Sequence, residues 1–374
     1  MSGSNGPLTG VKVVEFGGIG PGPFCGMLLC DLGAEVIRID RPDYVPPYLQ
    51  LAQRGRLSVA LDLKSDVGRE ACLQLIERAE VMFEGFRPGV MERLGLGPDV
   101  VLKRNRRIVY GRMTGWGQDG PLAQAAGHDI TYLALAGGLH AIGTRDTPVP
   151  PMNLIADFGG GAMYLAFGIL AALTHARAHG EGQVVDVAMT DGVASLMTTI
   201  YGRLFGGAWR DERGVNLLDG GAPFYGVYKC ADGKWIAIGS LEPQFYALLR
   251  EKLGLVEACF DRQDDRSQWP AQRARLEEIF SSQGRPHWEA LLEGTDVCFA
   301  PALSLSETAA HPHNTARGTY VEIGGVTQPA PAPRFSATPG KVRSPPPKIG
   351  AHTRQALEAW GVSSDLVKLV AHSQ

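Results

Sequence analysis

The sequence predicts an α/β protein: a large domain built on a mostly parallel sheet, followed by a smaller α+β domain. Three observations predict it. Short apolar runs alternate with helical stretches from Val11 to Met113, the pattern of strands and covering helices that produces a parallel sheet. Glycine (48) and proline (25) are abundant among the 374 residues, which suits many tight loops better than a helix bundle. From Ala222 the texture changes, and two strand-like runs flank an Asp232-Gly233 turn.

Residues 11–16 (VKVVEF) form the first expected strand, which ends in GGIGPG, residues 17–22. A helix over 24–32, stopped by Gly33, and a strand over 35–40 (EVIRID) complete a βαβ unit. The unit invites a dinucleotide interpretation with Asp40 as the ribose-binding acid. Counted from Gly18, however, the third glycine of G-x-G-x-x-G falls on Pro23, too bulky for close helix–strand packing. Arg38 and Arg41 flank Asp40 and suit either a phosphorylated ribose or solvent at the strand end. Then come a strand over 57–63, a helix from a Ser65 or Asp66 cap to Arg78, a strand over 81–84, a short helix over 90–94 closed by Gly95, and a strand over 106–113. Parallel sheets bind ligands outside the carboxyl ends of their strands. Residues 17–21, Arg41, Lys64, Arg87 and residues 115–117 are expected on that edge.

Residues 127–161 hold the candidate chemistry. His128 stands near the start; Asp157 stands near the end, followed by Gly159-Gly160-Gly161 and an apolar helix over 162–178. Removing a proton next to a carbonyl needs a positioned base and a stabilised enolate oxygen, and inverting the carbon needs an acid/base group on each face. Two unlike groups suit a site in which one starts protonated and the other does not. The N–H groups after Asp157 are natural enolate donors if the helix begins there. Plainer roles fit the same residues: His128 as a structural hydrogen-bonder in its GHD turn, Asp157 as a helix cap.

His175 and His179 have the i, i+4 spacing of metal ligands, but no third ligand is near. They are read as histidines at a helix C-terminus ended by Gly180. A strand over 183–188 and a helix from Asp191 follow. The large domain is expected over 1–208, a polar linker over 209–222 and the small domain over 223–328, with 329–374 returning to the large one. Within the small domain the pattern predicts a hairpin over 224–239, helices over 242–253, 269–280 and 287–292, and an extended run over 297–303. Residues 329–347 are proline-rich and non-helical, and a last helix covers 353–360.

A net charge of −3 with no block of like charges argues against nucleic acid or an anionic membrane as partner. The six cysteines form no Cys-x-x-Cys pair, so neither a disulfide framework nor a zinc knuckle is expected, and a cytoplasmic location fits. The N-terminus lacks the pattern of a signal peptide. The most apolar segment, 162–173, is too short to span a bilayer, so no membrane insertion is expected.

Seven motifs make the chain recognisable: FGGIGPGPFCGMLLCDLGAEVIRIDRP, FRPGVMERLGLGP, GRMTGWGQDGP, GHDITYLALAGGLHAIG, PPMNLIADFGGG, GQVVDVAMTDG and LDGGAPFYGVYKCADGKWIAIGSLEPQFY. Over essentially its full length the chain resembles the family III CoA-transferases. GHDI with SLEPQFY resembles the α-methylacyl-CoA racemase branch of that family. The resemblance implies a Rossmann-like large domain, a small domain and an interlocked homodimer. It implies interconversion of (2R)- and (2S)-2-methylacyl-CoA thioesters by 1,1-proton transfer through an enolate, with His128 and Asp157 as the acid/base pair. Glu242 would orient the histidine, from across the dimer, and Asn153 would support the site by hydrogen bonding. Ile19, Arg41, Leu63, Lys64, Gly85, Arg87 and Arg93 would hold the CoA, which is part of the acyl-CoA substrate; no separate cofactor or metal is implied. Phe224 and Tyr225 are expected to face the acyl chain. The transferase alternative makes Asp157 a covalent nucleophile that does not need His128.

Overall fold

The computed structural model describes residues 6–45 and 48–372, and the chain divides into two compact units. The first runs to Ala136, resumes over Met152–Leu196 and resumes again from Gly318; the second is Gly137–Pro151 with Met197–Arg317.

The first unit is built on six parallel strands: β1 (Lys12–Phe16), β2 (Glu35–Asp40), β3 (Leu57–Ala60), β4 (Val81–Glu84), β5 (Val109–Thr114) and β6 (Val184–Ala188). Their order is β3-β2-β1-β4-β5-β6, so the sheet is wound both ways from a switch point between β1 and β4. β2 and β4 are buried on both faces because helices cover both sides. Strand side chains Val14, Ile37 and Met82 share one core with Leu75 and Ile76 of the helix Asp66–Arg78 and with Leu357, Trp360 and Val367 near the C-terminus. The Ser65 hydroxyl caps that helix by accepting the Gly68 N–H at 3.0 Å. The returning segment is tied to the sheet where the Ala60 N–H donates to the Thr353 hydroxyl at 3.0 Å.

Several boundaries move for local reasons. The first helix is Pro21–Asp31, three residues earlier than expected, because Gly20 takes φ +68° and Pro21 is preformed for a first helical turn. β5 starts at Val109 because the Asn105 side chain accepts the Arg107 N–H at 3.1 Å and closes a turn there. The larger correction concerns the glycine triplet. It does not precede the apolar helix but lies inside it: a π-helical segment, Leu154–Met163, runs directly into the α-helix Tyr164–His179. The helical run is therefore 26 residues, long and apolar enough by length and composition to cross a bilayer, which overturns the expectation that it is too short. Gly180, at φ 78°, ends it as expected.

Four arginines are buried in this unit, each beside a carboxylate: Arg38, Arg54, Arg56 and, paired with Glu84, Arg112. Arg38 Nε donates to Asp40 Oδ1 at 2.8 Å, and the Ser58 hydroxyl adds a bond to Asp40 Oδ2 at 2.6 Å. Arg38 is therefore neither a phosphate ligand nor a solvated strand-end charge, and Asp40 is not free for a ribose. Arg54 pairs with Asp31 at 2.5 Å and also donates to the Gln328 side chain and the Pro329 carbonyl, joining the N-terminal βαβ unit to the hairpin formed by Tyr320–Ile323 and Val326–Pro329. Arg56 pairs with Glu15 at 3.0 Å, both fully buried, in space that Gly26 leaves open: a Cβ there would meet Glu15 Oε2 at 2.3 Å.

The second unit has its own core. β7 (Tyr225–Lys229), β8 (Trp235–Gly239) and β9 (Phe299–Ala302) form an antiparallel sheet, and Gly233 at φ 79° makes the expected turn. Helices Trp269–Ser281 and Arg285–Leu292 contribute Phe280, Trp288 and Leu292 to the core. Phe224 is 1% exposed and packs edge-on against Tyr246 and Trp269, so it is a core residue and does not face an acyl chain. The polar stretch expected as a linker is closed on itself. Buried Asn216 donates to the Arg210 and Glu212 carbonyls and to Asp219, at 2.8–3.0 Å.

The buried ion pair of the first unit generates a stability prediction. Arg56→Met leaves the Glu15 carboxylate buried without its partner and should cost about 3–5 kcal/mol, read as a lower urea midpoint. Glu15→Leu combined with Arg56→Met should recover most of that loss. A single variant as stable as the parent would show that the pair contributes nothing.

Candidate active site

Asp157 sits in the first turns of the π-helical segment. Such wide turns are rare, short and concentrated at functional sites. The glycines allow this one by letting backbones meet: a Cβ on Gly192 would lie 1.9 Å from the Gly160 carbonyl oxygen, and one on Gly160 would lie 2.9 Å from the Val193 nitrogen. The helix Met189–Leu196 therefore packs against the segment at main-chain distance. The loop after β1 approaches from another side, where a Cβ on Gly20 would come within 2.9 Å of Asp157 Oδ2. Asn153, exposed one turn earlier, donates from Nδ2 to Asp157 Oδ2 at 3.2 Å. Because helix begins at Leu154, the N–H groups from Gly159 onward belong to its ladder and are not available as enolate donors, contrary to expectation.

His128 opens the helix Asp129–Leu135 in an extended conformation. Its main chain is bracketed by Thr131, whose hydroxyl accepts the His128 N–H at 3.0 Å and donates to the His128 carbonyl at 2.7 Å. The imidazole is exposed. Asp129, next in the chain and buried, accepts the Asp157 N–H on its carboxylate at 2.7 Å. That bond connects the histidine turn to the aspartate segment. Tyr132 fills the space beside Gly115 and Gly127 and packs edge-on against Trp116 at 4.7 Å.

The electrostatics raise the Asp157 carboxyl above its ordinary value. Partial burial pushes its carboxyl above the usual range and the Asp129 charge adds to the rise, while the Asn153 hydrogen bond and His128 oppose it. Burial, and then the Asp157 charge, also raise the Tyr132 hydroxyl.

The candidate CoA residues follow the carboxyl ends of β1 to β4. Ile19, Arg41 and Leu63 line one cavity of about 230 Å³ together with Phe16, Tyr44 and Phe86. Lys64 follows Leu63 in the same loop and is exposed. Gly85 and Arg87 flank Phe86 and are exposed. The loop carrying them is held from below: buried Glu84, its carboxyl pushed up to about 7 by burial, accepts the Phe86 N–H at 2.7 Å and pairs with Arg112 at 3.1 Å. Arg93 lies against Gly89, at 3.1 Å from a Cβ built there. Glu242 belongs to the other unit. It is the exposed N-cap of the helix Pro243–Leu253 and lies near Cys298, whose thiol burial and then the Glu242 charge push upward. Tyr225 is half-buried on β7.

Sequence reasoning missed Asp129, Tyr132 and Glu84. The aspartate of GHD was the available signal for the first, since an acid beside a histidine on a helix start is an N-terminal pattern with a charge to place.

Residues 8–353 match CoA-transferase family III. The chain is 42% identical to the alpha-methylacyl-CoA racemase of Mus musculus, covering 98% of this chain and 96% of that protein. It is 41% identical to the alpha-methylacyl-CoA racemase of Homo sapiens, covering 96% and 94%. Among solved structures, a CaiB/BaiF family protein from Brucella suis superposes with a TM-score of 0.83 at 26% identity, covering 95% of this chain and all of that one. The chain belongs to CoA-transferase family III.

Proposed function

We propose that the chain is an acyl-CoA racemase that interconverts (2R)- and (2S)-2-methylacyl-CoA by 1,1-proton transfer. The observation that carries this is the joining of His128 to Asp157 through Asp129, with the Asp157 carboxyl raised from its ordinary value by burial. The identity to named racemases along nearly the whole chain supports it. One group removes the α-proton as a base while the other, protonated, returns a proton to the opposite face. The Asp129 and Ile130 N–H groups at the start of the helix Asp129–Leu135 are the donors proposed for the enolate oxygen. The Phe86 cavity takes the CoA nucleotide, with Arg41, Lys64, Arg87 and Arg93 as the cations for its phosphates. The chemistry asks for no metal or redox group.

The assembly proposed is a homodimer in which Glu242 of one subunit orients His128 of the other. Exposed Met163 (51%) and Phe167 (73%), one turn apart on the long helix, support a protein contact there in place of a membrane span. CoA transfer with Asp157 as nucleophile is the competing reaction that family membership favours.

Incubation with 2-methylacyl-CoA in deuterium oxide should exchange the α-hydrogen and scramble the centre. Absence of exchange, together with a CoA adduct trapped at Asp157, would favour transfer. Asn153→Ala removes a bond to the ionised carboxylate, so the acid limb of the kcat profile should move to higher pH; an unmoved limb would detach Asn153 from Asp157. Co-expressed His128→Ala and Glu242→Ala chains should recover inversion of the centre that neither variant performs alone, because a mixed dimer holds one intact site. No recovery would place the Glu242 contribution within one subunit.

A further inference from the structure

We propose that Asp129 is a positioning residue for the acid/base pair, locking the Asp157 segment to the His128 turn through its carboxylate. The inference rests on His128 and Asp157 being the acid/base groups. Asp129 is covalently next to His128, and its carboxylate reaches residue 157 to accept the Asp157 N–H at 2.7 Å. The Asp157 N–H lies in the first turn of the π-helical segment, where no intrahelical acceptor exists, so the side chain supplies what the helix lacks. With Thr131 bracketing the His128 main chain, the backbones of both acid/base residues are held by one short helix start.

The choice of an acid for this task is informative. Asp129 is only 9% exposed, and the bond to Asp157 is the one its carboxylate makes among the described residues. Burying a carboxylate for a single amide is costly, and a neutral Asn or Ser would accept the same N–H. What the charge adds is its effect on Asp157, which is to hold the neighbouring proton more tightly. The charged groups acting on Asp157 are Asp129 and His128, with the Asn153 amide as hydrogen-bond donor. The Gly20 loop brings no titratable side chain, and Asp191 on the helix Met189–Leu196 is exposed. Asp129 thus holds the Asp157 segment in place and adds to the rise that burial gives the Asp157 carboxyl.

The test uses the full chain with Asp129→Ala, Asp129→Asn and, as reference, Asp157→Asn, following racemisation of 2-methylacyl-CoA. Asp129→Ala should lower kcat by about 10²-fold, the usual consequence of misplacing a reacting group by an ångström, with KM within about threefold. Asp129→Asn keeps an acceptor for the Asp157 N–H but loses the charge. Its kcat should recover to within about tenfold of the parent, and the acid limb of its pH profile should move to lower pH. A kcat for Asp129→Ala within about twofold of the parent overturns the proposal, as does an equal loss in both variants with the limb unmoved. If Asp129→Ala does not fold, the limb of Asp129→Asn decides alone. Full activity in Asp157→Asn would instead overturn the acid/base assignment, and the positioning role with it; an inert Asp157→Asn beside a fully active Asp129→Ala overturns the positioning role only.

Discussion

The hydrogen bond from the Asp157 N–H to the Asp129 carboxylate is the constraint on which the candidate site depends. It spans 28 residues of sequence and ties two helix starts together. Everything around it keeps the two starts close. Gly160 and Gly192 let the π-helical segment and the helix Met189–Leu196 touch at main-chain distance. Gly20 brings the loop after β1 against the Asp157 carboxylate, where any side chain would collide. The site is thus held mainly by backbone contacts, which side-chain rotamer freedom cannot loosen.

The sheet supplies the rest. Six parallel strands wound both ways from β1 and β4 present their carboxyl ends along one edge, and the loops there carry the cavity, the exposed cations and Gly20. Four buried arginine–carboxylate pairs fasten the same unit internally, one of them out to the hairpin near its C-terminal return. Buried pairs of this kind lend little net stability but are costly to break, so they fix one arrangement of the loops around β1 and β3.

Much of this was legible in the sequence. Alternating apolar runs located β2 and β4 to the residue, and the Asp-Gly turn located the hairpin of the second unit. His128 and Asp157 stood out because unlike titratable groups near helix starts are chemically suggestive. What was not legible depends on long-range partners. Arg38 looked like a surface cation because its neutraliser, Asp40, lies two residues away on the same strand face and only the fold buries both. Phe224 looked like a pocket residue because Tyr246 and Trp269, which enclose it, are distant in sequence. The triplet Gly159-Gly160-Gly161 looked like a helix boundary because glycine ordinarily weakens helices. Here packing against Gly192 rewards it for having no Cβ.

The central claim is that His128 and Asp157 serve opposite faces of one carbon. The most direct measurement is single-turnover exchange in deuterium oxide with separate (2R)- and (2S)-2-methylacyl-CoA, using His128→Ala and Asp157→Asn. The account predicts that each variant still washes out the α-hydrogen of one enantiomer, a different one for each, while neither inverts the centre. Inversion by either variant at the parental rate would contradict it.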